Sequence, residues 1–132
     1  MLPYYSYRLI TTLIRPFIVF YILNRILKGK EDRLRVTERY GTSDIKRKDG
    51  KVIWFHAASI GESLSILPLL KKLNSDKSID QIILTTGTLT SANILKDKLS
   101  KKIIHQFIPY DVPSYIHKFL NPVSYTHLTL PT

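Results

Sequence analysis

Residues 52–73 read VIWFHAASIGESLSILPLLKKL, and residues 80–107 read DQIILTTGTLTSANILKDKLSKKIIHQF. The order of patterns in these two stretches decides the fold. Residues 52–56 are a short apolar run, the signature of a buried strand. From 61 to 73, Leu64, Leu67, Leu70 and Leu73 recur at helical spacing, with Ile66 and Leu69 widening the stripe. Pro68 inside that stripe marks a kink or a late helix start. Residues 80–86 predict a second strand. Residues 89–99 predict a second helix, with Thr88 as its cap. Residues 103–107 predict a third strand, 109–113 a loop and 114–120 a short helix. Strand, helix, strand, helix, strand is the βαβαβ order of an open parallel sheet, hence an α/β fold. Parallel sheets are usually covered on both faces and larger than three strands. The chain is therefore expected to form part of a domain.

Upstream, residues 5–28 read YSYRLITTLIRPFIVFYILNRILK. The uninterrupted apolar part runs only from 17 to 23, because Arg15 and Pro16 split it from 9–14. A transmembrane helix needs about 18–20 apolar residues in a row. No small-residue cleavage site follows, as a secretory signal would require. Arg8, Arg15, Arg25, Lys28 and Lys30 can snorkel while the helix lies among lipid headgroups. Tyr4, Tyr5, Tyr7 and Tyr21 also suit that interface. A membrane-anchoring helix over 1–28 is expected, spanning or lying on the bilayer. The alternative is an amphipathic helix docked on its own domain.

Formal net charge is +10, from 20 Lys and Arg against 10 Asp and Glu. Ten of the basic residues lie between Arg25 and Lys51, beside the apolar segment. That placement reads as a footprint on an anionic membrane surface. A nucleic-acid binder would interleave charge with exposed aromatics, so no nucleic-acid partner is expected. Residues 29–51 form a basic linker with a short helix expected over 31–40, ended by Gly41. There is no cysteine, so neither a disulfide nor a thiolate-bound metal is expected. His56, His105, His117 and His127 lack metal-ligand spacing. His56 and His105 fall at strand ends, where a lone His is more often structural than catalytic.

Ligands of open parallel sheets bind beyond the carboxyl ends of the strands. After the first strand come His56, Ala57, Ala58, Ser59, Ile60, Gly61 and Glu62. Small residues there let a ligand approach the backbone, and helix amides favour an anion. Glu62 opens the helix, either as a capping carboxylate or as a general base. After the second strand comes Thr86, Gly87, Thr88, Leu89, Thr90 and Ser91, a hydroxyl-rich turn. It suits either helix capping or phosphate contact. No Walker motif and no G-x-G-x-x-G is present, so no nucleotide cofactor is expected.

GKEDRLRVTERYG (29–41), WFHAASIGESLSILPLLKKL (54–73), ILTTGTLTSA (83–92) and HQFIPYDVP (105–113) occur in order at natural spacing. Together they resemble the N-terminal domain of bacterial transferases of 3-deoxy-octulosonic acid (Kdo). The likeness covers residues 1–121. It implies the Rossmann-like N-terminal half of a GT-B glycosyltransferase, spanning 52–121 and binding the acceptor. Such enzymes move Kdo from CMP-Kdo to a lipid A precursor at the cytoplasmic face of the bacterial inner membrane, without a metal or cofactor. The family's base lies in its HAAS-x-GE motif and matches Glu62. On the same likeness, Ser59, Gly61, Thr86, Gly87, Thr88 and Ser91 would line the acceptor side. Lys30, Arg33, Arg35 and Arg39 would meet the acceptor's phosphates, because the arginine fork binds two oxygens at once. Residues 122–132 lack the family's Trp-x-Pro continuation and are expected to be a non-native tail. The fragment is then expected to be inactive alone. A second reading is a non-enzymatic membrane module that binds anionic lipid through 1–51.

Overall fold

A computed structural model describes residues 2–120 and 126–127. Three parallel strands form the centre: β1 (Val52–Ala57), β2 (Gln81–Thr86) and β3 (Ile103–Phe107). A two-residue strand, β4 (Thr126–His127), pairs with β1, giving the order β3-β2-β1-β4. All six β2 residues are buried, as expected of a central strand covered on both faces. The register matters most for function. Ala57 pairs with Thr86, and Thr86 pairs with Phe107. The carboxyl ends of the three main strands are therefore level.

Period-two alternation divides the sheet into two faces. Ile53, Phe55, Ala57, Ile82, Leu84 and Ile103 pack with Ile66, Leu70 and Leu95 in one cluster. The opposite face carries Trp54, whose ring meets Phe119 edge-on at 5.2 Å. Phe119 belongs to a C-terminal helix, Pro113–Leu120. The helical stripe predicted over 61–73 is half right. Ile66 and Leu70 are buried, but Leu64 and Leu69 are exposed. The segment is also two helices, Ile60–Ser65 and Leu67–Asn74, meeting at Ile66. Pro68 sits in the first turn of the second, where its missing N–H costs nothing.

The N-terminal segment is likewise two helices rather than one: α1 (Leu2–Leu13) and α2 (Arg15–Leu27), with Pro16 opening the second. They are bent by 51°. Among the described residues no single helix is long and apolar enough to cross a membrane, whereas the bent pair together has the length and composition. Most of its large apolar side chains face outward, including Phe17, Phe20 and Leu27. In α2, Ile22 is the residue that is fully buried. The two helices after β1 are α3 (Ile60–Ser65) and α4 (Leu67–Asn74). The helix after β2 is α5 (Leu89–Leu95), and α6 is Pro113–Leu120.

The predicted helix over 31–40 shrinks to one 3₁₀ helix, Val36–Tyr40. Gly41 ends it with φ of 84°, a left-handed conformation that glycine adopts without strain. A Cβ at Gly41 would also collide with the carbonyl oxygen of Tyr115. This close approach seats the 3₁₀ helix on α6, where Tyr40 meets Tyr115 at 5.2 Å. The set-apart tail, 122–132, lies outside the described residues except for the two of β4.

Candidate active site

The level strand ends bring two turns side by side. The first runs from Ala58 into α3. Ser59 is extended and caps the helix, its hydroxyl accepting from the Glu62 N–H at 3.2 Å. The Glu62 carboxylate reaches back, and its Oε2 accepts from the Ala58 N–H at 2.7 Å. This is a reciprocal capping arrangement that satisfies amides left unpaired at the helix start. The Ser63 hydroxyl donates to the Ser59 carbonyl at 2.8 Å and stiffens the same turn. The other Glu62 oxygen, Oε1, has no hydrogen-bond partner among the described residues. Glu62 is half-buried and Gly61 is exposed beside it. One oxygen thus fixes the side chain while the other is open to accept a proton. Capping and general-base chemistry are compatible in one residue.

The second turn runs from Thr86 into α5. Thr88 is its N-cap, accepting from the Ser91 N–H at 3.2 Å and donating to the Ser91 hydroxyl at 2.9 Å. Ser91 and Thr86 are buried. The Gly87 carbonyl accepts from Arg39. Of the small and hydroxyl residues expected to line the acceptor side, Ser59, Gly61 and Thr88 are exposed. Thr86 and Ser91 spend their hydroxyls inside the domain.

The arginines depart further from expectation. Arg39 is buried, and every guanidinium nitrogen is engaged. Nε and Nη2 donate to the Glu31 carboxylate, each at 3.1 Å. Nη1 donates to the Ile108 carbonyl at 3.2 Å, and Nη2 also to the Gly87 carbonyl at 2.7 Å. Arg35 donates side-on to Glu38 at 3.0 and 2.9 Å, and to the His105 carbonyl at 2.9 Å. Its plane lies over the Phe107 ring at 4.6 Å. Their forks are spent on internal carboxylates rather than turned to a ligand's phosphates. Buried charges need such pairing, because an isolated one is very costly to desolvate. Lys30 and Arg33 are the exposed members of the predicted basic set.

Glu31 and Glu38 were missing from the sequence reading, although both are buried and organise this corner. The Glu38 carboxylate accepts from Arg35 and also from the Phe107 N–H at 2.8 Å. The alternating signs in KEDRLRVTER carried the signal, since Arg35 and Glu38 stand three apart. His105 lies in the same network. Arg35 Nη2 donates to its Nδ1 at 3.0 Å. Its Nε2–H then donates to the Thr86 hydroxyl at 2.7 Å, because arginine has only donors and fixes the tautomer. Burial, then the charges of Arg35 and Arg39, push the imidazole down to about 3. His56 Nδ1 meets the Thr85 hydroxyl at 3.0 Å, which also accepts from Trp54 at 2.9 Å. Both histidines are thus held in internal hydrogen bonds. Among the described residues no cluster of three His, Asp or Glu is arranged to hold a metal.

A family model described as 3-deoxy-D-manno-octulosonic-acid transferase (kdotransferase) matches residues 34–130. That range runs past Asn121 into the stretch set apart on sequence grounds. The chain is 38% identical over 117 residues to an Arabidopsis thaliana protein named "Probable 3-deoxy-D-manno-octulosonic acid transferase, mitochondrial", covering 89% of this chain and 26% of that one. It is 36% identical to 3-deoxy-D-manno-octulosonic acid transferase of Rickettsia bellii, over 87% of this chain and 28% of the relative. The Haemophilus influenzae protein of the same name is 30% identical over 89% of this chain and 28% of its own length. The chain therefore spans little more than a quarter of these relatives. No solved structure matches it. With the four motifs on a parallel α/β scaffold and this family match across most of its length, the chain belongs to the 3-deoxy-D-manno-octulosonic acid transferase family.

Proposed function

We propose that this chain supplies the acceptor side and the base of a GT-B glycosyltransferase. The enzyme would transfer Kdo from CMP-Kdo to a lipid A precursor in lipopolysaccharide biosynthesis. The observation that carries the reading is Glu62, clamped by one oxygen and open at the other, at the level carboxyl ends of the strands. In the reaction, Oε1 takes the proton of the acceptor's hydroxyl as that oxygen bonds to the anomeric carbon of Kdo. The bond to the CMP phosphate breaks, and its electron pair leaves with CMP. One in-line displacement inverts the anomeric centre, with no metal or cofactor required of this half. The donor sugar nucleotide is held by a second Rossmann-like domain facing the cleft.

The exposed apolar pair α1 and α2, with Lys28, Lys30 and Arg33 beside it, supports placement at the cytoplasmic face of the inner membrane. Ser59, Gly61 and Thr88 are the exposed groups available to the acceptor, and Lys30 and Arg33 are the exposed cations of the basic set available to its phosphates.

The test joins this chain in frame to the remaining length of the Rickettsia bellii relative. Kdo transfer from CMP-Kdo to the lipid A precursor is expected. Glu62→Gln should reduce it by about 10²–10⁴-fold, the range for general-base catalysis. Unchanged turnover in the Gln variant removes Glu62 from the chemistry. An inactive fusion whose vesicle binding is indifferent to lipid A would favour a non-enzymatic, anionic-lipid-binding module instead.

A further inference from the structure

The buried ion pairs join two parts of the molecule that face different surroundings. Arg25 lies in the last turn of α2, on the exposed apolar pair. Arg39 holds the Gly87 and Ile108 carbonyls, the backbone just beyond β2 and β3. Glu31 lies between them. Its Oε1 accepts from Arg25 Nε at 2.8 Å and from Arg39 Nη2 at 3.1 Å. Two more contacts run in parallel. The Tyr21 ring of α2 meets Tyr110 at 6.2 Å, and the Tyr7 hydroxyl of α1 donates to the Asp111 carboxylate. All of them end on the segment that follows β3, or on the arginine that holds it.

Apolar burial alone would orient α2 weakly. Ile22 is its fully buried side chain, contributing about 1.5–3 kcal/mol. A helix seated on one such residue can roll. A carboxylate bridging two guanidinium groups is directional, because the planar fork fixes the line of approach. The Arg25 side chain is 23% exposed and that of Glu31 is 1% exposed, so water screens the pair far less than a surface one.

We propose that the Arg25–Glu31–Arg39 relay is a pin that fixes the attitude of the apolar helix pair relative to the carboxyl end of the sheet. Arg25 and Glu31 are then positioning residues, which set the height at which a membrane-borne acceptor meets Glu62. The second statement rests on the acceptor reading above, whereas the pin itself does not.

The chain has no cysteine, so two labels can be placed cleanly. Asn24→Cys on α2 and Asn93→Cys on α5 are both exposed positions. Spin-label distances are measured between them in detergent micelles and on vesicles of phosphatidylcholine and phosphatidylglycerol. The parent chain is expected to give one narrow distance in both. Arg25→Gln, which leaves the Glu31–Arg39 pair intact, should lose the narrow peak while circular dichroism is unchanged. Arg25→Lys, which keeps the charge but not the planar fork, should give a peak broader than the parent's and narrower than that of Arg25→Gln. A narrow, unshifted peak in Arg25→Gln overturns the pin, as does a broad distribution in the parent chain. A parent chain that is narrow in micelles but does not bind the vesicles keeps the pin and sinks the membrane reading.

Discussion

Three glutamates sit around the carboxyl end of this sheet, and they are used in opposite ways. Glu31 and Glu38 have both oxygens taken by arginine nitrogens, and Glu38 also accepts a backbone N–H. Glu62 has one oxygen taken by a backbone amide and one without a hydrogen-bond partner among the described residues. All three are carboxylates beside a strand end. What separates them is how completely their lone pairs are used. A buried carboxylate engaged at both oxygens holds structure and presents no open oxygen to a substrate proton. A half-used one is aimed by its first bond and free at its second.

The difference predicts where damage will appear. The largest effect falls on the saturated set. Arg39→Ala leaves Glu31 buried without its fork and should cost about 3–5 kcal/mol of stability, read by denaturant unfolding. A loss below about 1 kcal/mol would erase the contrast. Glu62→Gln should do the reverse. The amide oxygen still caps Ala58 N–H, so stability should change by about 1 kcal/mol or less, while transfer in the fused enzyme falls as stated above.

Acid should find the saturated corner next. His105 is held near 3 when folded but titrates near 6.5 when unfolded. The unfolded chain therefore takes up this proton first as pH falls. The His105 contribution is complete above pH 6.5 and is lost as pH falls through about 3, at up to about 1.4 kcal/mol per pH unit. Replacing His105 with Gln should flatten unfolding free energies measured between pH 7 and pH 4, and an unaltered slope would break the assignment. The smallest effect belongs to an exposed arginine. Arg33→Gln should leave stability unchanged and weaken binding to anionic vesicles by about 1 kcal/mol.

The sheet was legible in the sequence because apolar runs at 52–56, 80–86 and 103–107 alternate with helical stripes. Two places misled. Proline marked both helix breaks, at Pro16 and Pro68, but a pattern cannot tell a kink from two separate helices. The bend in the first and the new start in the second depend on which carbonyls find partners in three dimensions. The site was legible where it is local. Ser59 and Glu62 stand three apart, and the capping pattern follows from that spacing. It was opaque where it is long-range. Arg39 and Gly87 are 48 residues apart, and Arg35 and His105 are 70 apart. A basic block beside an apolar helix looks the same whether its arginines face lipid phosphates or fold back onto buried glutamates.

The Arg39 contact with Gly87 has a consequence in time as well as space. Gly87 directly follows β2, whose six residues are all buried. Amides of such a central strand exchange with solvent only when much of the domain opens. The turn beside Glu62 is therefore rooted in the last part of the molecule to let deuterium in. Exchange should be slow along 81–86 and faster along α1, whose residues are mostly exposed, so that the turn beside Glu62 keeps its shape while the first turns of the N-terminal helix fray.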